Sequence, residues 1–513
     1  MGVNSTHPDY DANAATWLRA RDVVAGEDAV KGAGEKYLPR LDEQSRNEYL
    51  GYKTRASFFN AAARTAEGFI GLIFHRDPVV RRPGSDAGAG VSGALAALVE
   101  DVDLLGTALP AYARNVVEEV VVVGRCGTLV DWQGPCRTGQ CEERAYATLY
   151  RAEDILNWRT ERVNGRNVLT LVVLRESVTG VSADGFTSEP VEQIRVLRLE
   201  EVQGPTSNVQ AERRYVVELW QPGEAKTKRG KAEWQCVKTV VPLRMGRPLP
   251  GIPFVFHGPR HALPDVDKLP LTDIIAVNLD HYRLAADYRH GLHFTALPTA
   301  WVSGFEKNAE LRIGSSTVWM SPTPGAAAGF LEFTGQGLTT FERAMDRDER
   351  LMAVLGTRML AEQKRVGESA DAIALRQSGE NSVLGALAVS VSDSLTHVLR
   401  WCYWWHSTEA KPDLVSSELV LVSLSTDFSL QGMNAQSITA LVSAWQAGAI
   451  SQETLMDCLR KGEVIPDGRS NAEEKALAGE GFKFLKGGRE AALGTPLQAS
   501  SVAATDGTQM KHG

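Results

Sequence analysis

Residues 337–406 constrain the fold of this chain more than any other stretch. Leu338, Phe341, Met345, Met352, Leu355 and Met359 recur at helical spacing, and so do Leu384, Leu387, Val391, Leu395, Val398, Cys402 and Trp405. The spacing predicts two long amphipathic helices. Between them, Glu362 to Ser369 holds Lys364, Arg365 and Gly367, with Val366 as its one large apolar residue, so the segment is expected as an exposed loop. At about 1.5 Å per residue, 337–360 makes a rod of roughly 36 Å. A rod of that length needs a partner surface, from this chain or from another copy.

A chain of 513 residues is too long for one core and is expected to form two to four structural units. Its formal net charge of −8 argues against binding that neutralises phosphates, which needs clustered Lys and Arg, but leaves room for DNA that merely passes by. The N-terminus lacks a basic stretch followed by an apolar run, and no segment approaches 18 uncharged apolar residues, so neither export nor membrane spanning is expected. The cysteines, Cys126, Cys136, Cys141, Cys236, Cys402 and Cys458, lack metal or redox spacing and read as reduced structural residues. His281, His290 and His293 have no accompanying H-E-x-x-H pattern and read as packing or polar-surface residues.

Taken in order, residues 10–32 and 42–75 read as helices, the second with Tyr49, Tyr52, Phe59, Ala63, Ala66, Ile70 and Ile73 on one stripe. A Gly/Ser/Ala stretch at 84–94 precedes further helical segments at about 95–102 and 109–119. In VVVVGRCGTLVDW, residues 120–132, β-branched runs flank Gly124 and Gly127, which predicts a hairpin. From 143 to 257 short β-rich runs alternate with Gly, Asp, Ser and Pro clusters, as in an antiparallel unit, with PLPGIPFVFHGPR at 248–260 as its exit. Residues 270–292 return to helix. Residues 294–336 read as strands in ALPTAWVSGF, LRIGSSTVWM and FLEFTG, the last two separated by the turn SPTPGAAAG. A strand pair around ELVLVSLSTDF and two shorter helices follow, the first carrying Ile438, Leu441, Val442 and Trp445, the second capped by Ser451. Residues 486–513 are too poor in apolar side chains to build a core and are expected to be disordered.

On enzyme chemistry the sequence is close to silent. Gly230-Lys231 is followed by Ala232 and lacks the upstream glycine of a P-loop, and there is no nucleophile elbow, kinase signature or dinucleotide fingerprint. Asp346, Asp348 and Glu349 could suggest a metal site. Arg343, Arg347 and Arg350 interleave them, which favours an ion-pair face, solvated or between copies. No cofactor is expected.

The order of these parts, with the wording of 37–78 (YLPRLDEQSRNEYLGYKTRASFFNAAARTAEGFIGLIFHRDP), GRCGTLVDW (124–132), LPGIPFVFHG (249–258), 370–405 (ADAIALRQSGENSVLGALAVSVSDSLTHVLRWCYWW) and VSLSTDF followed by 448–455, resembles the portal proteins of tailed bacteriophages. The resemblance runs from about residue 10 to 480. It implies an α+β protomer: a wing of N-terminal helices and a β-rich unit at 1–269, a first stem helix at 270–293, a small β-containing clip at 294–336, a second stem helix at 337–360, a tunnel loop at 361–369, a kinked wing helix and strands at 370–433, a helical crown at 434–485, and the tail at 486–513.

By that resemblance the protein is a non-enzymatic ring of about twelve copies at one capsid vertex, a channel through which double-stranded DNA is packaged by a terminase large subunit and later ejected. Head-tail adaptor or tail proteins, the major capsid protein and scaffold are the further implied partners. The implied location is the virion, after assembly in the host cytoplasm and with no membrane involved. Glu362, Gln363, Lys364, Arg365, Val366 and Glu368 are the candidate channel residues. For Lys364 and Arg365 the choice is between the channel lining and an ordinary solvated turn. Glu342, Arg343, Asp346, Arg347, Asp348, Glu349 and Arg350 are candidates for contacts between neighbouring stems, and Phe305, Glu306, Lys307, Glu310 and Arg312 for the surface facing terminase and adaptor. The alternatives are another oligomeric capsid or scaffold protein without a channel, or a soluble enzyme of unrecognised type.

Overall fold

The structure is a computed structural model and describes residues 2–81, 94–134, 143–163, 165–181, 188–202, 212–223, 233–295, 299–305, 318–331, 337–360, 382–407, 421–426, 428, 435–462, 464–465 and 471–477. The fold is α+β. Four helices open the chain: α1 (Pro8–Ala25), α2 (Glu27–Ala33), α3 (Arg46–Arg55) and α4 (Ala61–Ile73). The two helices expected over 10–32 and 42–75 are thus each broken. Gly26 closes α1 by bonding to the Asp22 carbonyl, and Asn60 opens α4 by accepting from the Ala63 amide. Ser45 and Glu48 form a full capping box at the start of α3.

β1 (Val79–Arg81), α5 (Ala94–Glu100) and α6 (Leu109–Val123) follow. Here the predicted hairpin at 120–132 is overturned: Val120 to Val123 are the last turn of α6, and Gly124, at φ 78°, is its left-handed C-cap. Four β-branched residues stay helical because all four are buried, so tertiary packing overrides their intrinsic strand preference. Only the second run is a strand, β2 (Cys126–Trp132), and it pairs with β3 (Ala145–Arg151).

β4 (Ile155–Val163), β5 (Arg166–Val181), β6 (Ser188–Val202), β7 (Glu212–Pro222) and β8 (Trp234–Val240) form a five-stranded antiparallel meander in sequence order. The short pair β9 (Leu243–Arg244) and β10 (Arg247–Pro248) leads to β11 (Phe254–His257). That strand does leave the meander, as the Pro/Gly frame predicts, but it then enters a second sheet, of order β11-β2-β3, and is buried along its whole length.

Next come α7 (Thr272–Thr295), β12 (Thr299–Ser303), β13 (Ala327–Leu331), α8 (Leu338–Leu360), α9 (Val383–His406) and β14 (Leu421–Ser423). β14 pairs with β1, some 340 residues upstream, rather than within a local hairpin. Serine 382 caps α9 by accepting from the Gly385 amide. Leu384, Leu387, Val391, Leu395, Val398 and Cys402 face inward and are fully buried, each worth about 1.5–3 kcal/mol as an upper bound. They meet α6, β2, β3 and β11 in the main core. A separate compact unit contains α10 (Ala435–Gln446) and α11 (Gln452–Lys461), the latter capped by Ser451 through the Thr454 amide as predicted.

Candidate functional site: a charged helix pair and its strand insert

α7 and α8 pack against each other as antiparallel rods. Tyr288 Oη donates to Glu342 Oε1 at 2.6 Å, His281 Nε2 lies 3.4 Å from Glu349 Oε1, and Gly291 faces Leu338 closely enough that a Cβ would lie 2.8 Å from Leu338 Cδ2. Moving seven residues back along α7, from 288 to 281, matches seven forward along α8, from 342 to 349, which fixes the register. The Glu342 bond holds the Tyr288 hydroxyl above its ordinary pKa.

The opposite side of α7 docks on the N-terminal helices. Asn278 donates to the Phe59 carbonyl at 2.7 Å and accepts from the Ala62 amide at 3.0 Å, so one buried amide satisfies an orphan amide at the α4 entry and adds a second donor to the carbonyl, which also accepts from Ala61. Tyr52 donates to Asp287 at 2.5 Å; burial first and this bond second push its pKa up. Arg283 donates to the Tyr37 carbonyl. His290 packs edge-on against Tyr52 beside Arg55, and burial followed by the Arg55 charge holds its pKa down.

The seven sequence-predicted stem residues divide between these surfaces. Glu342 and Glu349 reach α7, and Asp348 is buried at the edge of the core with Arg347 at 3.5 Å. Arg343, Asp346, Arg347 and Arg350 are exposed. Arg350 lies 3.9 Å from Asp346, a loose pair four residues apart with both side chains in solvent. Two of the seven, Glu342 and Glu349, therefore reach another element of the chain, and four more pair within α8 itself.

At the far end of the pair, β12 and β13 form a two-stranded insert in register Trp301 opposite Gly329 and Ala300 opposite Phe330. β13 begins at Ala327, so part of the expected SPTPGAAAG turn is strand, and 318–320 is irregular. Exposed large apolar side chains gather here: Phe294, Trp301, Val302, Val318, Met320 and Phe330, with Trp301 46% and Met320 86% accessible. Of the expected clip residues, Phe305 follows β12 and is half-buried. Glu306, Lys307, Glu310 and Arg312 lie outside the described residues, as do the channel candidates Glu362, Gln363, Lys364, Arg365, Val366 and Glu368.

A second polar cluster, missed in the sequence, is buried in the core. Tyr112 Oη and Thr128 Oγ1 are 2.9 Å apart, Thr128 Oγ1 and His257 Nε2 2.7 Å, and His257 Nδ1 and Ser394 Oγ 2.7 Å. Ser394 spends its proton on the Val391 carbonyl. It must then accept from His257 Nδ1–H, which leaves Nε2 to accept from Thr128 and Thr128 to accept from Tyr112. The serine is thus the acceptor of the imidazole proton, the reverse of an activated nucleophile. With Thr128 and Ser394 fully buried, no substrate can reach it. Burial alone pushes the His257 pKa down to about 3. The cluster joins α6, β2, β11 and α9 and is structural. His281 is buried against Glu349, and His290 packs on Tyr52, so of the two roles expected, packing or polar surface, both take packing.

Among the described residues no group of three or more His, Cys, Asp or Glu side chains is placed to hold a metal ion, and no helix is long and apolar enough to cross a membrane. Cys126, Cys236, Cys402 and Cys458 are free thiols.

A family model described as a domain of unknown function, DUF4055, matches residues 270–406, which take in α7, the insert, α8 and α9. No curated protein matches the chain. Among solved structures, the chain is similar to one described as the virion of a native gene transfer agent (GTA) particle, at 12% identity over 83% of this chain and 94% of that one, with a TM-score of 0.34. It is also similar to one from the neck of the native GTA particle computed with C12 symmetry, at 11% identity over 78% and 89%, TM-score 0.34. A third, from the neck of the empty GTA particle computed with C6 symmetry, has 12% identity over 85% and 98%, TM-score 0.34.

Proposed function

We propose that the protein is a portal-type ring subunit: copies assemble around a channel at a capsid vertex, double-stranded DNA passes through, and the insert end of the helix pair docks a packaging motor and later an adaptor or tail protein. The observation that supports this most is the placement of exposed apolar residues. A two-stranded sheet is marginal by itself, and this one carries Trp301 on one face and Val302 and Phe330 on the other. Surface of that kind, concentrated at the tip of two rods of 24 and 23 residues, is what a docking end requires. In this reading α7 and α8 are the stem, 294–336 is the clip, and 361–369, with Lys364 and Arg365, is the tunnel loop.

The charge balance is compatible with a conduit. A wall with a net charge of −8 per copy repels phosphates within a Debye length of about 8 Å, so DNA slides without the friction of many neutralised contacts. Negative-stain imaging of the purified full-length chain tests the reading. Rings with a central hole are expected, and single-copy particles at micromolar concentration would overturn it. If rings form, Trp301→Ala with Phe330→Ala should leave their number unchanged and weaken adaptor docking.

A further inference from the structure

Two seven-residue charge spacings run along the helix pair, and the contacts within the chain do not join one to the other. On α7, Asp280 and Asp287 lie one residue before His281 and Tyr288. On α8, Arg350 and Arg343 lie one residue after Glu349 and Glu342. Because His281 meets Glu349 and Tyr288 meets Glu342, Asp280 is level with Arg350, and Asp287 with Arg343.

They are level but not in contact. Asp280 takes Arg283 of its own helix at 2.6 Å, and among the described residues Arg350 comes no nearer to an acid than 3.9 Å, at Asp346. Helical geometry gives the reason. Each step of one residue turns the side chain by about 100°. Stepping back on α7 and forward on α8 turns in the same sense when the antiparallel pair is viewed end-on. Residues that begin face to face are therefore carried to opposite flanks. Asp280 and Asp287 mark one flank of the rod, and Arg343 and Arg350 mark the other at the same heights. The side chains of Asp280 and Arg350 are 63% and 81% exposed.

We infer that the acidic flank of α7 in one copy docks on the basic flank of α8 in the next, pairing Asp280 with Arg350 and Asp287 with Arg343 around a closed ring. The occupant is a second copy of this chain. Rotation about an axis along the rods moves a copy sideways without changing its height, so charges that are level within a chain meet their opposites between chains. That is a head-to-tail interface, the kind a cyclic ring repeats. Arg283 offsets one of the two acids on the acidic flank and Asp346 one of the two arginines on the basic one, which leaves each flank its sign. Asp287 also accepts from Tyr52, which fixes its carboxylate in place, so Asp280 and Arg350 are the pair to test first. The inference rests on the ring reading above.

Native mass spectrometry and negative stain on the full chain, at the concentration where the wild type is half assembled, test both separately. Arg343→Glu with Arg350→Glu is expected to lower the assembled fraction about tenfold, and Asp280→Arg alone to lower it severalfold. Combining Arg350→Glu with Asp280→Arg is expected to restore rings. Unchanged circular dichroism and melting in each variant identify the loss as one of assembly, since these side chains are exposed. A wild type that forms rings, with reversed variants that assemble equally well or a swap that restores nothing, overturns the flank pairing and leaves the ring reading standing. A wild type that stays a single copy overturns both.

Discussion

Lowering the pH should strain the core at one identifiable point. His257 is fully buried as the neutral Nδ1–H tautomer, because Ser394, its proton spent on the Val391 carbonyl, can only accept, which leaves Nε2 to accept from Thr128. Protonating Nε2 would place a charge in the core and turn Thr128 from donor to acceptor, leaving Tyr112 and Thr128 with one proton too many. The folded pKa is depressed, from 6.5 to about 3. Between those values the unfolded chain binds the proton and the folded one does not, so the contribution is fully present above pH 6.5 and is lost as pH falls towards 3. At about 1.4 kcal/mol per unit, that is about 2 kcal/mol lost between pH 7 and pH 5, and about 4 kcal/mol by pH 3.

Other groups also titrate in this range, so the measurement is a difference. His257→Gln removes the titration and perturbs the two hydrogen bonds, costing about 1–3 kcal/mol at pH 7. As pH falls to 5 the wild type should lose about 2 kcal/mol more than the variant, so the two stabilities converge. A chain of several units does not melt in one step, so the appropriate readout is hydrogen exchange at β2, β11 and α9 amides, corrected for intrinsic rates. The His257 ring should remain neutral by NMR down to at least pH 4. A ring that titrates near 6.5, or wild-type and variant profiles that stay parallel, would refute the reasoning.

Three further outcomes follow from packing and burial. Gly127→Ala should cost about 1–3 kcal/mol or more, because a Cβ there would lie 2.6 Å from Phe254 Cε1 and closer still to its Cζ, with Ile155 Cδ1 at 3.1 Å; unchanged hydrogen exchange at the β2 and β11 amides would contradict this. Asn278→Ala orphans the Ala62 amide and takes one of two donors from the Phe59 carbonyl, and should destabilise the α4–α7 contact by about 1–3 kcal/mol, seen as faster exchange at the start of α4. In a chain with Cys136 and Cys141 replaced by Ser, a maleimide at pH 7.5 should label exposed Cys236 within minutes. Buried Cys402, its thiol pushed up to about 12, and buried Cys126 should react only on unfolding, as mass spectrometry of the peptides would show.

The amphipathic repeats made the long helices legible, because a helix with one apolar stripe must bury that stripe wherever the chain goes: α7, α8 and α9 lie where their spacing puts them. The meander was legible for the parallel reason, with alternating runs separated by turn residues. Val120 to Val123 were not, because the last turn of α6 is buried on all sides, has no polar face and looks like a strand. Nor was the β1–β14 pair, since nothing in either three-residue run names its distant partner. At the candidate site the charged face of α8 could be read from its interleaved signs. Asp280 and Asp287 could not, since a seven-residue acidic spacing acquires meaning only when the register of the facing helix is known. Thr128, His257 and Ser394 sit in three unrelated segments, and no spacing links them.

Ionic strength separates two charge effects that a ring of these chains would combine. Each copy has a net charge of −8, and that repulsion acts over the Debye length, about 30 Å at 0.01 M salt and about 8 Å at 0.15 M. The flank pairs act only across a contact of a few ångströms. Raising salt from 0.01 to 0.15 M therefore relieves repulsion while leaving the pairs, and assembly should increase. Towards 1 M the Debye length falls to about 3 Å, exposed pairs weaken, and assembly should decrease again. Arg343→Glu with Arg350→Glu should retain the rising arm and lose the falling one, because it has like charges where the pairs were. A wild type whose assembly rises steadily to 1 M would mean that apolar contacts, which salt strengthens, carry the interface, and that Asp280 and Arg350 contribute nothing to it.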